Sequence, residues 1–264
     1  MRAPWKRPAK PERTVGEDGL IRMSIWDHLA ELRGRVVKSA LAVAAGAVVG
    51  FFLWDPILRF VQKPYCDLKR EKFKQGVDAL NTCKFVAFEP LELVATRIKV
   101  ATYVGLVLAL PVVLWQLWRF ITPGLHPKEK RYAIPFIASS IVLFLLGALI
   151  AVLTFPQALS FLVNIGGNNV DTLFGPAKYL SLYVLIMLAF GLAFEFPVVL
   201  VFLQLAHVVK SSQLMQVWRY AIVGIFIVAA VITPSQDPYS LLGMAVPMTI
   251  FYFGAAGIGK LLKR

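Results

Sequence analysis

Six apolar runs alternate with polar connectors along this 264-residue chain, with expected bounds 36–53, 91–120, 134–155, 179–206, 220–232 and 241–258. A helix rises ~1.5 Å per residue, so runs near 20 residues cross a ~30 Å hydrocarbon core. The pattern predicts an all-α integral membrane protein with six spans, the fifth and sixth of them short. The fifth, at ~20 Å of helix, falls short of the usual core and predicts local thinning of the bilayer. Ahead of the first run, Ile25, Trp26, Leu29 and Leu32 recur at helical spacing, with Asp27, His28, Glu31, Arg33 and Arg35 on the other faces. That pattern predicts an amphipathic helix over 24–35, lying in the interface and capped by Ser24. Residues 1–22 are rich in Pro and basic residues, lack periodicity and read as a mobile tail, which leaves one membrane domain over 23–264.

The connectors carry the breakers. Pro56, Pro64 and Gly76 interrupt the long charged segment 55–89, read as a loop, and Pro111 is expected to kink the second span. The 156–178 segment is rich in Gly and Asn, with short helical content expected over 157–163. Thr233-Pro-Ser-Gln-Asp-Pro-Tyr-Ser240 reads as a tight turn, and Pro247 as a break in the sixth span.

Lys and Arg decide the orientation. The first tail, the 119–131 connector, the Lys210/Arg219 segment and the C-terminal end are basic, whereas 156–178 holds one Lys and 233–240 none. The 55–89 segment runs against the trend, but short loops near span ends weigh most. Both termini are therefore expected on the cytoplasmic side of a plasma (inner) membrane. The first thirty-odd residues contain no apolar core, so the first span is expected to act as the insertion signal and to remain.

Composition agrees. The chain is 58% hydrophobic and 16% charged, with mean hydropathy +0.68; soluble domains carry about 25% charged residues. The net charge of +13 flanks apolar runs, which points to anionic lipid rather than nucleic acid. Cys66 and Cys83 share the 55–89 segment, so a disulfide on the oxidising side and two free thiols are both open.

Candidate chemistry is sparse. The three histidines are scattered, and there is no metal-ligand set, nucleotide-binding motif or cofactor motif. This argues against an enzyme. Glu195 lies ~18 Å from one end of the fourth span, where a charge is costly, so it is expected to face protein or water. It reads either as a packing hydrogen bond between helices or as a functional group, whether a docking point for a partner helix or a proton-coupled transport site. Glu31 and Glu129 each stand alone in a basic run. The ordinary reading is a solvated ion pair worth under ~1 kcal/mol. If brought together, each carboxylate can instead take one guanidinium in bidentate geometry.

An ordered set of motifs adds to this. His28-Leu-Ala-Glu-Leu-Arg-Gly-Arg35, Pro64, Pro90-Leu-Glu92 with Lys99, Pro111, Trp115-Gln-Leu-Trp-Arg-Phe-Ile-Thr-Pro-Gly-Leu125, Glu129-Lys-Arg131, Phe190-Gly-Leu-Ala-Phe-Glu-Phe-Pro197, Thr233-Pro234 with Asp237 and Ser240, and Ala245-Val-Pro247 together resemble the TatC family. That family is the multi-spanning subunit of the twin-arginine protein translocase. The resemblance implies a concave, cup-like fold and a receptor for signal peptides bearing paired arginines. It also implies work in a multi-copy complex with TatA-like and TatB-like single-span subunits, driven by the proton motive force. By the same resemblance Glu31 and Glu129 hold the arginine pair, aided by Arg33 and Phe120. Glu195 is the buried polar position on the concave face, and Thr233 marks the partner contact near the fifth and sixth spans. Pro64 and Asp237 belong to outer loops with a structural or functional role. This chain departs from the pattern where Tyr252 is followed by Phe253 rather than an acid, and the turn before Asp237 looks one residue longer.

Overall fold

The computed structural model describes residues 14–15, 21–22, 25–72, 85, 89–121, 133–165 and 175–261. Thr14–Val15 (β1) and Ile21–Arg22 (β2) form a two-residue antiparallel pair. Everything else regular among the described residues is helical. The elements are α1 (Ile25–Phe52), α2 (Trp54–Lys72), α3 (Glu92–Ile121), α4 (Ala133–Asn164), α5 (Pro176–Ala193), α6 (Phe196–Leu205), α7 (Ser211–Gln216), α8 (Trp218–Ile232) and α9 (Pro238–Leu261). Among the described residues, α1, α3, α4, the α5–α6 pair and α9 are long and apolar enough to cross a membrane. The apolar α8 is shorter, at 15 residues or ~22 Å.

Several boundaries differ from expectation. The interface helix and the first span are one helix of 28 residues. Gly34 is the only breaker at the expected corner, and a helical Gly costs only ~1 kcal/mol. The Glu31–Arg35 pair, one turn apart, bridges the same corner. The 55–89 segment opens with the 19-residue α2 instead of a loop. Pro56 falls in its first turn, where no amide donor is required. Trp54, Ile57, Leu58, Val61 and Tyr65 form its packed face, and that spacing was hidden among charges. Helix α4 runs through Pro156 to Asn164, well past the expected end at 155. Helix α9 is continuous through Pro247 and, at 24 residues, is no short span. The chain after the fourth span contains the short helix α7.

Helices α1 and α3 lie antiparallel and meet over most of their length. Their backbones touch at small residues. A Cβ added to Gly105 would stand 2.5 Å from both the Ala47 nitrogen and the Val43 oxygen, and one on Gly46 would stand 2.8 Å from the Gly105 oxygen. In lipid, where apolar burial does not drive helices together, such backbone approach supplies the packing. The α4–α5 contact repeats the device, with Gly147 against the Phe190 backbone and Gly191 against the Phe144 ring.

The core is aromatic where α2, α4 and α5 converge. Phe155 meets Tyr183 edge-on at 4.5 Å, and Tyr179 contacts Phe155, Tyr65 and Phe85 at 5.7, 5.6 and 5.2 Å. The Tyr179 hydroxyl donates to the Val61 carbonyl at 2.8 Å, which satisfies the polar tip and ties α5 to α2. Pro64 lines a cavity of about 360 Å³ beside Lys63, Asp67, Pro156 and Tyr183. Cys66 is half-buried on α2 and disulfide-bonded; Cys83 lies outside the described residues. At the α5 N-terminus a Glu92 carboxylate oxygen accepts from the Ala177 amide at 3.3 Å, placing negative charge at the positive end of the helix dipole.

The backbone contact at Gly105 leads to a direct test. Gly105→Val forces a side chain into the α1 backbone, and overpacking of this kind costs roughly 1–3 kcal/mol. Thermal unfolding in detergent is expected to show a clear drop for this variant. Gly224→Ala, where an added Cβ meets nothing within 4 Å, is expected to unfold like the parent.

Candidate functional site

Because α1 and α3 run antiparallel, the start of α1 lies beside the end of α3. There the His28 ring stacks on Phe120, with centroids 4.3 Å apart and planes at 21°. Glu31 follows His28 by one turn and occupies the same face. One Glu31 oxygen pairs with the Arg35 guanidinium. The other, Oε2, is buried and has no hydrogen-bond partner among the described residues, as is true of Arg35 Nε. Side-chain exposure is 21% for Glu31 and 13% for Arg35. The intramolecular ion pair expected of Glu31 is therefore present, part-buried rather than fully solvated. A buried polar atom without a partner costs ~1–3 kcal/mol, so this end of the bundle holds a carboxylate oxygen with unused accepting capacity. Arg33, Lys38 and Arg119 are exposed nearby in sequence on the same two helices. Glu129 lies outside the described residues.

Behind Phe120 the helix end is wedged in place. Trp118 is buried and contacts Phe136 and Phe202 at 4.9 and 6.1 Å, and Phe136 contacts Phe202 at 5.7 Å. These rings join α3 to α4 and α6 and fix the register in which Phe120 meets His28.

Glu195 sits at a break in the fourth span. Pro197 has no amide donor for the carbonyl one turn back, and α5 closes on Ala193 with α6 restarting at Phe196. The Glu195 amide bonds instead to the Leu192 carbonyl at 3.1 Å. Ser140 on α4 faces the Glu195 carboxyl. Its Oε1 is buried without a partner among the described residues. The neighbouring helix thus presents a hydroxyl to the carboxyl, and one acceptor remains open among the described residues.

The turn between α8 and α9 is closed by its own side chains. Asp237 is 1% exposed, accepts the Ser240 amide at 2.8 Å and accepts the Ser235 hydroxyl, which makes it the N-cap of α9. Thr233, also buried, donates to the Ala229 carbonyl at 2.7 Å. Both residues are spent on local structure. Sequence reasoning passed over a second polar clamp at the other end of α9. Gln204 donates to the Ala255 carbonyl at 3.0 Å, Ser211 to Ala256 at 2.7 Å and Tyr252 to Leu214 at 2.6 Å. These bonds fix the α6–α7 connection on α9, and a lone Gln in an apolar span was the signal that pointed to them. Among the described residues no group of three or more His, Cys, Asp or Glu is arranged to hold a metal ion.

Comparison with known proteins places this geometry in context. A family model described as TatC, Sec-independent protein translocase protein, matches residues 27–247. The chain is 40% identical over 244 residues to the Sec-independent protein translocase protein TatC of Frankia casuarinae, covering 92% of this chain and 67% of that protein. It is 34% identical to the TatC of a Synechocystis strain, covering 92% of this chain and 91% of that one. A crystal structure of the twin arginine translocase receptor TatC superposes with TM-score 0.69 at 34% identity, covering 90% of this chain and all of that one.

The closed turn carries a stability prediction. Asp237→Ala removes the α9 cap and is expected to destabilise the protein by about 1 kcal/mol, whereas Asp237→Asn keeps an acceptor for the Ser240 amide and loses less. Thermal unfolding of both variants, compared with the parent, checks the order.

Proposed function

The chain belongs to the TatC family of Sec-independent protein translocase proteins, and from that premise we propose that it is the receptor and core subunit of a twin-arginine translocation system. It is a multi-pass membrane component of a protein translocase, not an enzyme. In the proposed arrangement both termini face the cytoplasm, and the His28–Phe120 end of the α1–α3 pair meets the signal peptide of folded cargo. The protein then recruits TatA-like and TatB-like single-span subunits into a multi-copy complex, and the proton motive force drives export.

The observation that carries this reading is that Glu31 Oε2 is buried without a partner among the described residues. Guanidinium stays charged at all relevant pH and presents a planar fork of donors. A carboxylate with one oxygen held by Arg35 and the other open offers that fork a fixed acceptor. Arg35 keeps the empty site compensated, so the carboxylate stays in place between cargo molecules. Glu129 is proposed as the second acceptor of the arginine pair. Phe120 and His28 form the apolar wall against which the peptide lies, with Arg33 at its rim. Glu195 is proposed as a docking point for a single-span partner. A helix break is where the backbone carbonyls of a span are exposed, and the open Oε1 gives an incoming polar side chain a donor-seeking oxygen.

Two measurements test these roles. A twin-arginine peptide is expected to bind the full-length protein about tenfold or more weakly after Glu31→Ala or Glu129→Ala, since a charge-assisted bond is lost each time. Changing the peptide arginines to lysines is expected to weaken binding to the parent as well; equal binding by both variants and the parent sinks the proposed site. For the fourth span, Glu195→Ala is expected to lower co-purification of a single-span subunit, with Glu195→Gln retaining most of it. Undiminished co-purification with Glu195→Ala rejects the docking role.

A further inference from the structure

The opposite end of the α1–α3 pair holds a second charged group with unused bonding capacity. Arg97 projects from the sixth position of α3, about 8 Å from its start. One guanidinium nitrogen donates to the Phe51 carbonyl at 3.2 Å, in the last turn of α1. The guanidinium carbon stands 4.2 Å from the Phe51 ring centroid and 5.9 Å from that of Trp54. The Phe51 bond uses one of five donors. Arg97 Nε is buried and unpartnered, and no carboxylate pairs with Arg97 among the described residues.

The Phe51 ring that carries this guanidinium is also the wall of a groove. The groove is open, holds about 750 Å³ and is lined by Ala40, Ala44, Ala47 and Val48 of α1 and by Ile98 and Thr102 of α3. From residue 40 to residue 52 of α1 it extends ~18 Å, slightly more than half of a ~30 Å core. The short side chains are the same feature that lets the two backbones touch, and they leave a furrow on the outer side of the contact. The furrow is apolar along its length and ends at Phe51, whose ring and carbonyl hold a cation with no carboxylate partner among the described residues.

We propose that this furrow is a binding site for an anionic phospholipid, with one acyl chain lying along α1 and the phosphate on the Arg97 guanidinium. A guanidinium matches phosphate geometry through paired N–H donors. The length of the furrow suits a chain descending through one leaflet, and its charge sits at the depth of a headgroup. Its cation, held at Phe51, stands ~30 Å along α1 from Glu31 and so at the other end of the helix from the proposed arginine receptor.

The test uses the full-length protein in nanodiscs of mixed phosphatidylglycerol and phosphatidylcholine, followed by native mass spectrometry of retained lipid. The parent is expected to retain phosphatidylglycerol in preference to phosphatidylcholine. Arg97→Gln is expected to lower phosphatidylglycerol retention about tenfold, with Arg97→Lys in between. Ala44→Phe fills the furrow and is expected to lower retention of both lipids with the cation intact; Thr102→Leu serves where Ala44→Phe fails to elute as a folded species. Inorganic phosphate is expected not to displace the lipid. Unchanged retention in the Arg97 and furrow variants overturns the site. Displacement by phosphate alone shows an anion site without the furrow. Full lipid retention by Ala44→Phe together with loss of a co-purifying protein shows a furrow made for a helix. Each of these two results overturns the lipid assignment.

Discussion

The close antiparallel contact of α1 and α3 is the constraint from which the functional geometry descends. Gly46 and Gly105 bring the two backbones together so tightly that neither position has room for a methyl group. Once that contact is set, the two ends of the pair are set too. One end stacks His28 on Phe120 and places Glu31 beside them. The other lays Arg97 on Phe51 and Trp54. A bilayer supplies no hydrophobic drive to bring helices together, so the small residues do work that large apolar ones do in water.

Polar groups fall into two kinds. Most are spent. Tyr179, Ser211, Thr233, Asp237 and Tyr252 all bond to neighbouring backbone or side chains and lock helix ends or helix pairs. Six side-chain atoms are buried without a partner among the described residues: Glu31 Oε2, Arg35 Nε, Arg97 Nε, Glu195 Oε1, Gln204 Oε1 and Ser240 Oγ. Buried polar atoms are paired in the great majority of cases. The open ones on Glu31, Arg97 and Glu195 lie at the two ends of the α1–α3 pair and at the break in the fourth span, and these are the positions proposed to take ligands.

Much of this was legible in the chain. Runs of apolar residues marked the five helices long enough to cross a bilayer and the shorter apolar α8, because an apolar core demands such runs. Glu31, Glu129 and Glu195 stood out because lone acids in basic or apolar surroundings are rare. What was hidden has physical causes. Helix α2 was concealed because prolines read as breakers even where a first-turn amide is not needed, and because its apolar face alternates with charges. The break at Glu195 was missed because the run 179–206 is apolar on both sides of Glu195, and composition does not register a missing donor at Pro197. The α1–α3 contact left only scattered Gly and Ala residues as its signal. Asp237 was noticed as part of a motif, but only its Ser240 and Ser235 partners reveal it as a helix cap.

The central claim is that Glu31 accepts a peptide arginine directly rather than merely shaping the end of α1. A double-mutant cycle isolates that bond. Binding of the twin-arginine peptide is measured for parent and Glu31→Gln protein, each against the parent peptide and one with a single arginine changed to glutamine. Direct contact predicts a coupling energy of about 1.5 kcal/mol or more for one of the two arginines. Additive losses at both arginines, with coupling near zero, contradict it.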